Sequence, residues 1–326
     1  MIDLSAHPLA MPVAVIAAAA MGFAIQRGGT CMVAAVDQLV RDGSAKKLVA
    51  LGECSLWTSA LGILALAAGL GFAASPAYPV GVATLVGGLL LGLGAWLNGA
   101  CVFGSIARIG GRDWHYLLTP PGFFFGCLLH AGLVGAPAMP VAAVPATVAR
   151  PLLVLFIAAS IGVSLVALYR ARRTSAGRPV FWSYRHATIA IGFAFVVLAV
   201  LAGPWTYTEA LGRVAHGGRA PSGLEIGLFL ALLAGAIAGG WRGAGGEPLR
   251  LGRALLCLGG GALMGLGGSL VPGGNDNLIL VGLPALQTHA LVAIVAMVFA
   301  IAMGLNGARL GRKLQHVRFG SRGGPA

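Results

Sequence analysis

The sequence predicts an all-α polytopic membrane protein. About nine transmembrane helices, with short re-entrant half-helices, are arranged as a 4+1+4 inverted repeat. Three observations lead there. Hydrophobic residues make up 58% of the 326 and charged residues 10%, where a soluble domain carries roughly 25% charged residues; mean hydropathy is +0.88. Apolar runs recur at the length of about 20 residues that a hydrocarbon core of ~30 Å requires. A glycine-rich pattern is also written twice, at an offset of 173 residues.

The first span covers 10–26. Met1 to Ala10 holds no basic n-region and no small-residue cleavage site, so this span is expected to be a retained helix and not a signal peptide. It breaks at Gly28-Gly29, and 31–40 follows as a half-helix. Spans two and three are 47–72 and 79–98. The third contains Gly87-Gly88-Leu89-Leu90-Leu91-Gly92-Leu93-Gly94 and breaks at Asn98-Gly99-Ala100-Cys101, before a second half-helix at 101–109. Span four is 117–137, and a Pro/Ala-rich connection at 138–149 leads to a connecting span at 150–170 and a basic linker at 171–185. Spans six to eight are 186–203, 222–240 and 251–271. The eighth contains Gly260-Gly261-Ala262-Leu263-Met264-Gly265-Leu266-Gly267 and breaks at Pro272-Gly273-Gly274-Asn275-Asp276-Asn277. A third half-helix at 276–283 and a last span at 289–308 complete one transmembrane domain. It divides into a first repeat (1–149), a connecting segment (150–185) and a second repeat (186–326).

The charges orient the spans. With nine of them, 19 of the 22 Lys and Arg residues lie on one side, and only Arg150, Arg213 and Arg219 on the other. The positive-inside rule puts the N-terminus outside and the C-terminus in the cytoplasm. The net charge of +13 is thus read as topology signal and contact with anionic membrane lipid, not as a nucleic-acid surface. The two glycine copies then run through the membrane in opposite directions. Gly22-Phe23-Ala24 and Gly192-Phe193-Ala194 form a weaker echo of the same inversion. A parallel echo, Gly22 to Cys31 against Gly92 to Cys101 at an offset of 70, delivers two cysteines from equivalent breaks. Backbone unwinds in a bilayer only where protein or water shields it, and paired broken helices in inverted repeats are a transporter pattern.

The residues at the breaks carry the chemistry. Cys54, Cys127 and Cys257 lie inside apolar runs, where cysteine behaves as a small hydrophobe. Cys31 and Cys101 begin half-helices, next to Gly29 and Gly99, where unpaired amides favour negative charge. The second-half break offers Gly273, Gly274, Asn275, Asp276 and Asn277. Asp276 is either an N-cap or an acid lining a path. Arg27 attracts an anion, pairs with Asp276 to close the path, or snorkels to the cytoplasm. Glu53, Asp37, His115, Gln287 and His289 are read as interfacial or capping residues, and Trp57, Trp96, Trp182 and Trp205 as an interfacial belt. No Walker loop, CxxC, zinc-ligand spacing, haem pattern or nucleophile elbow occurs, so no enzyme, metal site or cofactor is expected.

At Gly22 to Cys31, Gly87 to Gly104 and Gly259 through His289 the chain resembles the YeeE/YedE family of bacterial sulfur transport proteins. Pro272 to Leu278, with Gly282-Leu283-Pro284 after it, looks like one branch of that family. The resemblance covers essentially the whole chain. It implies an inner-membrane bundle of nine spans pinched at its centre. In thiosulfate-transporting members, cysteines at the pinch pass the anion along by thiol hydrogen bonds, and some members work beside a small cytoplasmic sulfur-carrier protein. Cys31 and Cys101 match two of those cysteines; the third is replaced by Gly273-Gly274-Asn275. The expected function is inward transport of a small sulfur-containing solute, an anion of the thiosulfate type. The alternative is a membrane sulfur-transfer protein carrying a persulfide on Cys31 or Cys101.

Overall fold

The computed structural model describes residues 7–70, 76–135, 140–141, 183–241 and 246–320, with isolated positions between 151 and 166. Among the described residues, eight helices are long and apolar enough to cross a membrane, and no strand forms beyond a single bridge between Ala77 and Val141. The first half runs α1 (Ala10–Gly28), α2 (Met32–Asp42), α3 (Lys46–Ala67), α4 (Val82–Asn98), α5 (Val102–Gly110), a 3-10 turn (Trp114–Leu118) and α6 (Thr119–Leu133). The second half runs α7 (Tyr184–Ala202), α8 (Tyr207–Ala215), α9 (Gly223–Gly240), α10 (Leu251–Leu270), α11 (Asn275–Asn277), a π-helical stretch (Leu278–Gly282) and α12 (Thr288–Gly320). Eight of the nine expected spans are thus present, within a few residues of their expected ends except that α12 continues past 308 to Gly320. The connecting span at 150–170 and most of the linker after it lie outside the described residues.

The second half holds two features that the sequence reading did not give. α8 is a fourth short helix, in the segment 204–221 to which no element was assigned; its run Tyr-Thr-Glu-Ala-Leu-Gly-Arg-Val-Ala is too polar and too short to stand out from the hydropathy. The third half-helix makes only one α-turn before widening into a π-helix. Ser55 and Ser59 of α3 steady that stretch from the side, donating to the carbonyls of Ile279 (2.6 Å) and Pro284 (2.9 Å).

Without a hydrophobic drive between helices in lipid, close packing needs small residues at the contacts. The glycine copies serve that end. A Cβ on Gly94 would stand 2.6 Å from the Gly260 carbonyl oxygen, and one on Gly267 2.5 Å from that of Gly87. α4 and α10 therefore cross antiparallel, backbone on backbone. At the offset of 173, Gly87 corresponds to Gly260 and Gly94 to Gly267, so each of these contacts maps onto the other. The flanking contacts follow suit: Gly88 and Gly92 of α4 sit on Ala293 and Met297 of α12, while Gly261 and Gly265 of α10 sit on Thr119 and Phe123 of α6. α1 packs on α7 and α9 by the same device, with a Cβ on Gly235 reaching within 1.8 Å of the Ala19 carbonyl. Large apolar side chains such as Phe125, Leu230 and Phe299 remain exposed on the outside of the bundle.

Several polar residues expected at interfaces are instead buried and paired. Glu53 on α3 is 3% exposed and takes both Arg185 nitrogens, Nε at 2.9 Å. His115 holds Asp113 (2.6 Å) on one nitrogen and accepts from the Arg250 amide (2.7 Å) on the other. Gln287 donates to the Pro76 carbonyl and His289 accepts from the Tyr78 amide. Trp205 is 5% exposed and so is no part of an interfacial belt; Trp182 lies outside the described residues. Hydropathy cannot distinguish a charge at the interface from one neutralised by a partner far along the chain. Arg185→Gln should destabilise the protein by about 3–5 kcal/mol by leaving a buried carboxylate unpaired. Adding Glu53→Gln should recover most of that, as thermal unfolding in detergent would show; equal melting temperatures for Arg185→Gln and wild type would refute the pairing's importance.

Candidate functional site

The four short helices begin at one place inside the bundle. In the first half, α1 and α4 each end on a glycine in the left-handed region, Gly29 (φ 56°) and Gly99 (φ 74°), a conformation glycine adopts without steric cost. The chain then turns through Thr30-Cys31 into α2 and through Ala100-Cys101 into α5. Cys31 and Cys101 are the N-caps of these two helices. The Cys101 sulfur accepts from the Gly104 amide of its own helix at 3.5 Å and from the Met32 amide of α2 at 3.1 Å. One thiol thereby joins two helix N-termini. The Cys31 thiol interacts with it and rests on Gly104, where a Cβ would stand 2.4 Å from the Cys31 sulfur. Cys101 is fully buried and Cys31 half-buried.

The second half closes on the same point. Thr206 caps α8 and Gly274 precedes α11. The peptide after Cys101 is held from both: the Val102 amide donates to Asn275 Oδ1 at 3.2 Å, and the Tyr207 hydroxyl donates to the Val102 carbonyl at 3.1 Å. α8 and α11 are tied to each other where the Thr208 hydroxyl donates to Asp276 Oδ1, which also accepts from the Asn277 amide at 2.9 Å. Around this neck, Thr30 Oγ1, Asn275 Nδ2 and Asp276 Oδ2 are buried without a hydrogen-bond partner.

The thiol that the resemblance implies for the last broken helix has no room there. A Cβ on Gly274 would fall 2.6 Å from both Asp276 Oδ1 and Thr208 Oγ1. The Thr208–Asp276 hydrogen bond occupies the space that a cysteine side chain would need.

Of the residues singled out from the sequence, Cys31, Cys101, Asn275 and Asp276 meet at the neck, with Gly274 beside them. Gly29 and Gly99 make the turns that lead into it. Gly273 and Asn277 line an adjoining cavity. Arg27 does not belong: its guanidinium is exposed and lies over the Phe23 ring, 5.7 Å from the centroid. It does not pair with Asp276, whose carboxylate turns to Thr208. Arg253 approaches the first-half break instead, donating to the Asn98 carbonyl at 2.6 Å. Sequence reasoning missed Tyr207 and Thr208, although Thr206-Tyr207-Thr208-Glu209 carries the T-x-x-E signature of a helix start.

The adjoining cavity has a volume of about 290 Å³ and lies between α6, α8, α10 and the segments before α4 and α12. Its polar lining includes Thr208, Glu209, Arg213, His216, Asn277 and His289. Tyr78, also on its wall, has its hydroxyl pKa pushed up by burial and by the Glu209 charge. A much smaller space of about 10 Å³ is lined by Asp276, Trp205 and Tyr207. Among the described residues no group of three His, Cys, Asp or Glu side chains is placed to hold a metal ion.

A helix N-terminus carries about half a positive elementary charge and binds anions through its free amides. α2, α5 and α8 start at the neck, joined there by the first turn of α11, in surroundings of buried apolar side chains such as Met21, Ile25, Phe103 and Leu280. The arrangement can thus stabilise negative charge beside the two thiols without a lysine or arginine. No curated protein matches the chain. A family model described as sulphur transport matches residues 27–303.

Proposed function

Because the chain belongs to the sulphur transport (YeeE/YedE) family, we propose that it carries a small sulfur-containing anion of the thiosulfate type inward across the inner membrane. The solute enters the cavity, passes Asn277, Asp276 and Asn275, and crosses the neck at Cys101 and Cys31. The observation that supports this is the meeting of four helix starts around two thiols, with three buried polar atoms left unpartnered beside them. An unpaired buried polar atom costs about 1–3 kcal/mol. Three in one place make sense where a passing solute or its water supplies the missing bonds.

Each thiol is a weak donor, and the amides are held too tightly by Asn275 and Cys101 to follow the solute. Successive weak sites of this kind favour release as much as entry, as conduction requires. The basic side of the bundle faces the cytoplasm in this reading, so the cavity opens outside and the two repeats are inverted about the α4–α10 crossing. On the cytoplasmic side a small sulfur-carrier protein would receive the solute.

Asp276 sets the selectivity of such a path. Two unit charges ~6 Å apart at an effective dielectric constant of ~20 repel by about 3 kcal/mol, so a carboxylate here opposes a dianion more than a monoanion. Asp276→Asn keeps a carbonyl oxygen to accept from Thr208 and removes the charge. It should lower the KM for thiosulfate severalfold while changing that for a monovalent sulfur anion less. Equal shifts for the two would remove Asp276 from the path.

The direct test is uptake of radiolabelled thiosulfate in cells lacking their own sulfur importers. Accumulation above the empty-vector level supports the reading. No accumulation at normal expression rejects thiosulfate and moves the search to other sulfur solutes. One observation favours the sulfur-transfer alternative: the Cys101 sulfur accepts two amide hydrogen bonds, as a thiolate would. Mass spectrometry of protein purified without reductant separates the two, since a sulfur adduct on Cys31 or Cys101 supports transfer and unmodified thiols support conduction.

A further inference from the structure

Among the described residues, Asp276 is the one buried carboxyl group without a basic partner. Asp37, Glu53, Asp113, Glu209 and Glu225 each pair with an arginine or histidine, and Asp42 and Glu247 are exposed to water. Asp276 is 3% exposed. Its Oδ1 is engaged by the Thr208 hydroxyl and the Asn277 amide, while Oδ2 is out of reach of water and has no hydrogen-bond partner. The elements packed on α11 bring no positive charge to it. From α5, Cys101 shares its surroundings, and Arg108 lies over the Tyr116 ring instead. From α8, Tyr207 faces it, and Arg213 is held by Glu209 and Glu225. The π-helical stretch Leu278–Gly282 has no titratable side chain.

A carboxylate so placed would carry charge on an oxygen that nothing solvates, which costs far more than burying a neutral acid. A proton removes that cost. With the proton on Oδ1 the bond to Thr208 runs the other way, from the acid to the hydroxyl oxygen, and Oδ2 is an ordinary carbonyl oxygen. A metal cation could not serve instead, because it needs several oxygen ligands around it and not even water reaches Oδ2. We propose that Asp276 is the proton site of a proton–anion symporter, taking a proton from outside and releasing it to the cytoplasm with each anion carried. The coupling follows from position. Asn275, next in the chain, holds the Val102 amide that follows Cys101, so a charge at 276 bears on whatever passes the thiols. The carboxylate opposes an anion there, and the neutral acid does not. The anion therefore passes while Asp276 holds its proton. A membrane potential negative inside opposes anion entry, and a proton carried along lessens the charge moved against it. Thr208 lines the external cavity and also touches Asp276. A proton from cavity water binds the Thr208 oxygen as that hydroxyl's own proton moves to Oδ1, so one O–H bond forms, one breaks, and the threonine is unchanged. The inference rests on the transport reading for the anion; the proton site does not.

The test uses the purified full chain in lipid vesicles and has two readouts. Infrared difference spectra at neutral pH, without solute, should show the C=O stretch of a neutral carboxylic acid, shifted on exchange into deuterated water. Asp276→Asn should lack that band at a wild-type melting temperature. Uptake of radiolabelled thiosulfate by wild type should rise as external pH falls, by up to about tenfold per pH unit, the slope of one proton. It should acidify the vesicle interior and be indifferent to replacing sodium with choline. Asp276→Asn should lose the pH dependence, the acidification and any accumulation driven by a pH gradient. A wild-type spectrum without the band, or the same band in Asp276→Asn, overturns the proton site, and the wild-type spectrum stands whether or not the variant folds. Wild-type uptake that follows sodium, or that ignores pH, overturns the coupling and leaves the transport reading standing. A band lost in Asp276→Asn, with no thiosulfate uptake by wild type, supports the proton site and rejects thiosulfate as the solute.

Discussion

Cells expressing Cys31→Ala or Cys101→Ala should take up thiosulfate at least tenfold more slowly than cells expressing wild type. A tenfold loss corresponds to about 1.4 kcal/mol of barrier, less than a single thiol–anion contact in a water-poor neck is worth. The two variants differ in what else they remove. Cys101 accepts from the amides of Gly104 and Met32, so alanine there orphans two buried N–H groups at about 1–3 kcal/mol each. Cys101→Ser resolves the ambiguity, because serine is a good N-cap and keeps an acceptor in place while removing the polarisable sulfur. The Cys31 sulfur faces the backbone amides of Cys101 and, in its own helix, Val33 and Ala34, but it is only half-buried, so water can serve those groups in Cys31→Ala. Loss of uptake in Cys31→Ala and Cys101→Ser, at wild-type expression and melting temperature, is the expected pattern. Wild-type rates in both would sink the role given to the thiols.

The second large effect concerns the α4–α10 crossing. Gly260→Leu should yield little or no folded protein, whereas Gly259→Leu, one residue away, should be tolerated. A Cβ at 260 would stand 2.7 Å from both the Asn98 amide nitrogen and the Gly94 carbonyl oxygen, while one at 259 has nothing within 4 Å. Backbone atoms cannot swing aside as a side-chain tip does, so the two helices must separate. Overpacking in a well-packed interior costs typically about 1–3 kcal/mol, and here the separation also pulls on Asn98 and the break that follows it. The comparison is made by fluorescence-detected size exclusion after heating. A Gly260→Leu protein that runs as a sharp peak with the wild-type melting temperature would show that the crossing is not as close as described.

Much of the fold was legible in the sequence because lipid leaves a helix few options. Apolar runs of the right length and a lopsided distribution of basic residues are local properties of the chain, and they located eight spans correctly. The glycine copies were legible for a related reason. Gly87, Gly94, Gly260 and Gly267 repeat because each half must bring its third long segment against the other's, and only glycine permits that approach. α8 was not legible, since nine residues with Glu209 and Arg213 among them look like any polar loop until Thr206 is seen to cap them. Glu53, His115 and Trp205 were misread as interfacial because their partners, Arg185, Arg250 and the wall of the Asp276 space, are remote in the chain.

The site divides along the same line. Sequence alone determined that this protein is a bundle of membrane-crossing helices with breaks at Gly29, Gly99 and Gly273-Gly274, and that cysteine, asparagine and aspartate stand at those breaks. Spacing and composition suffice for this, because they govern where a helix can persist and where it must stop. Only the tertiary structure decided that the breaks meet, that Cys101 ties α2 to α5, and that the Thr208–Asp276 pair fills the place of a third thiol. It also decided that Arg27 stands apart. Those outcomes depend on contacts between residues 68 to 173 apart in the sequence, where the geometry of helix packing, not any local preference of the chain, determines which side chains share a space.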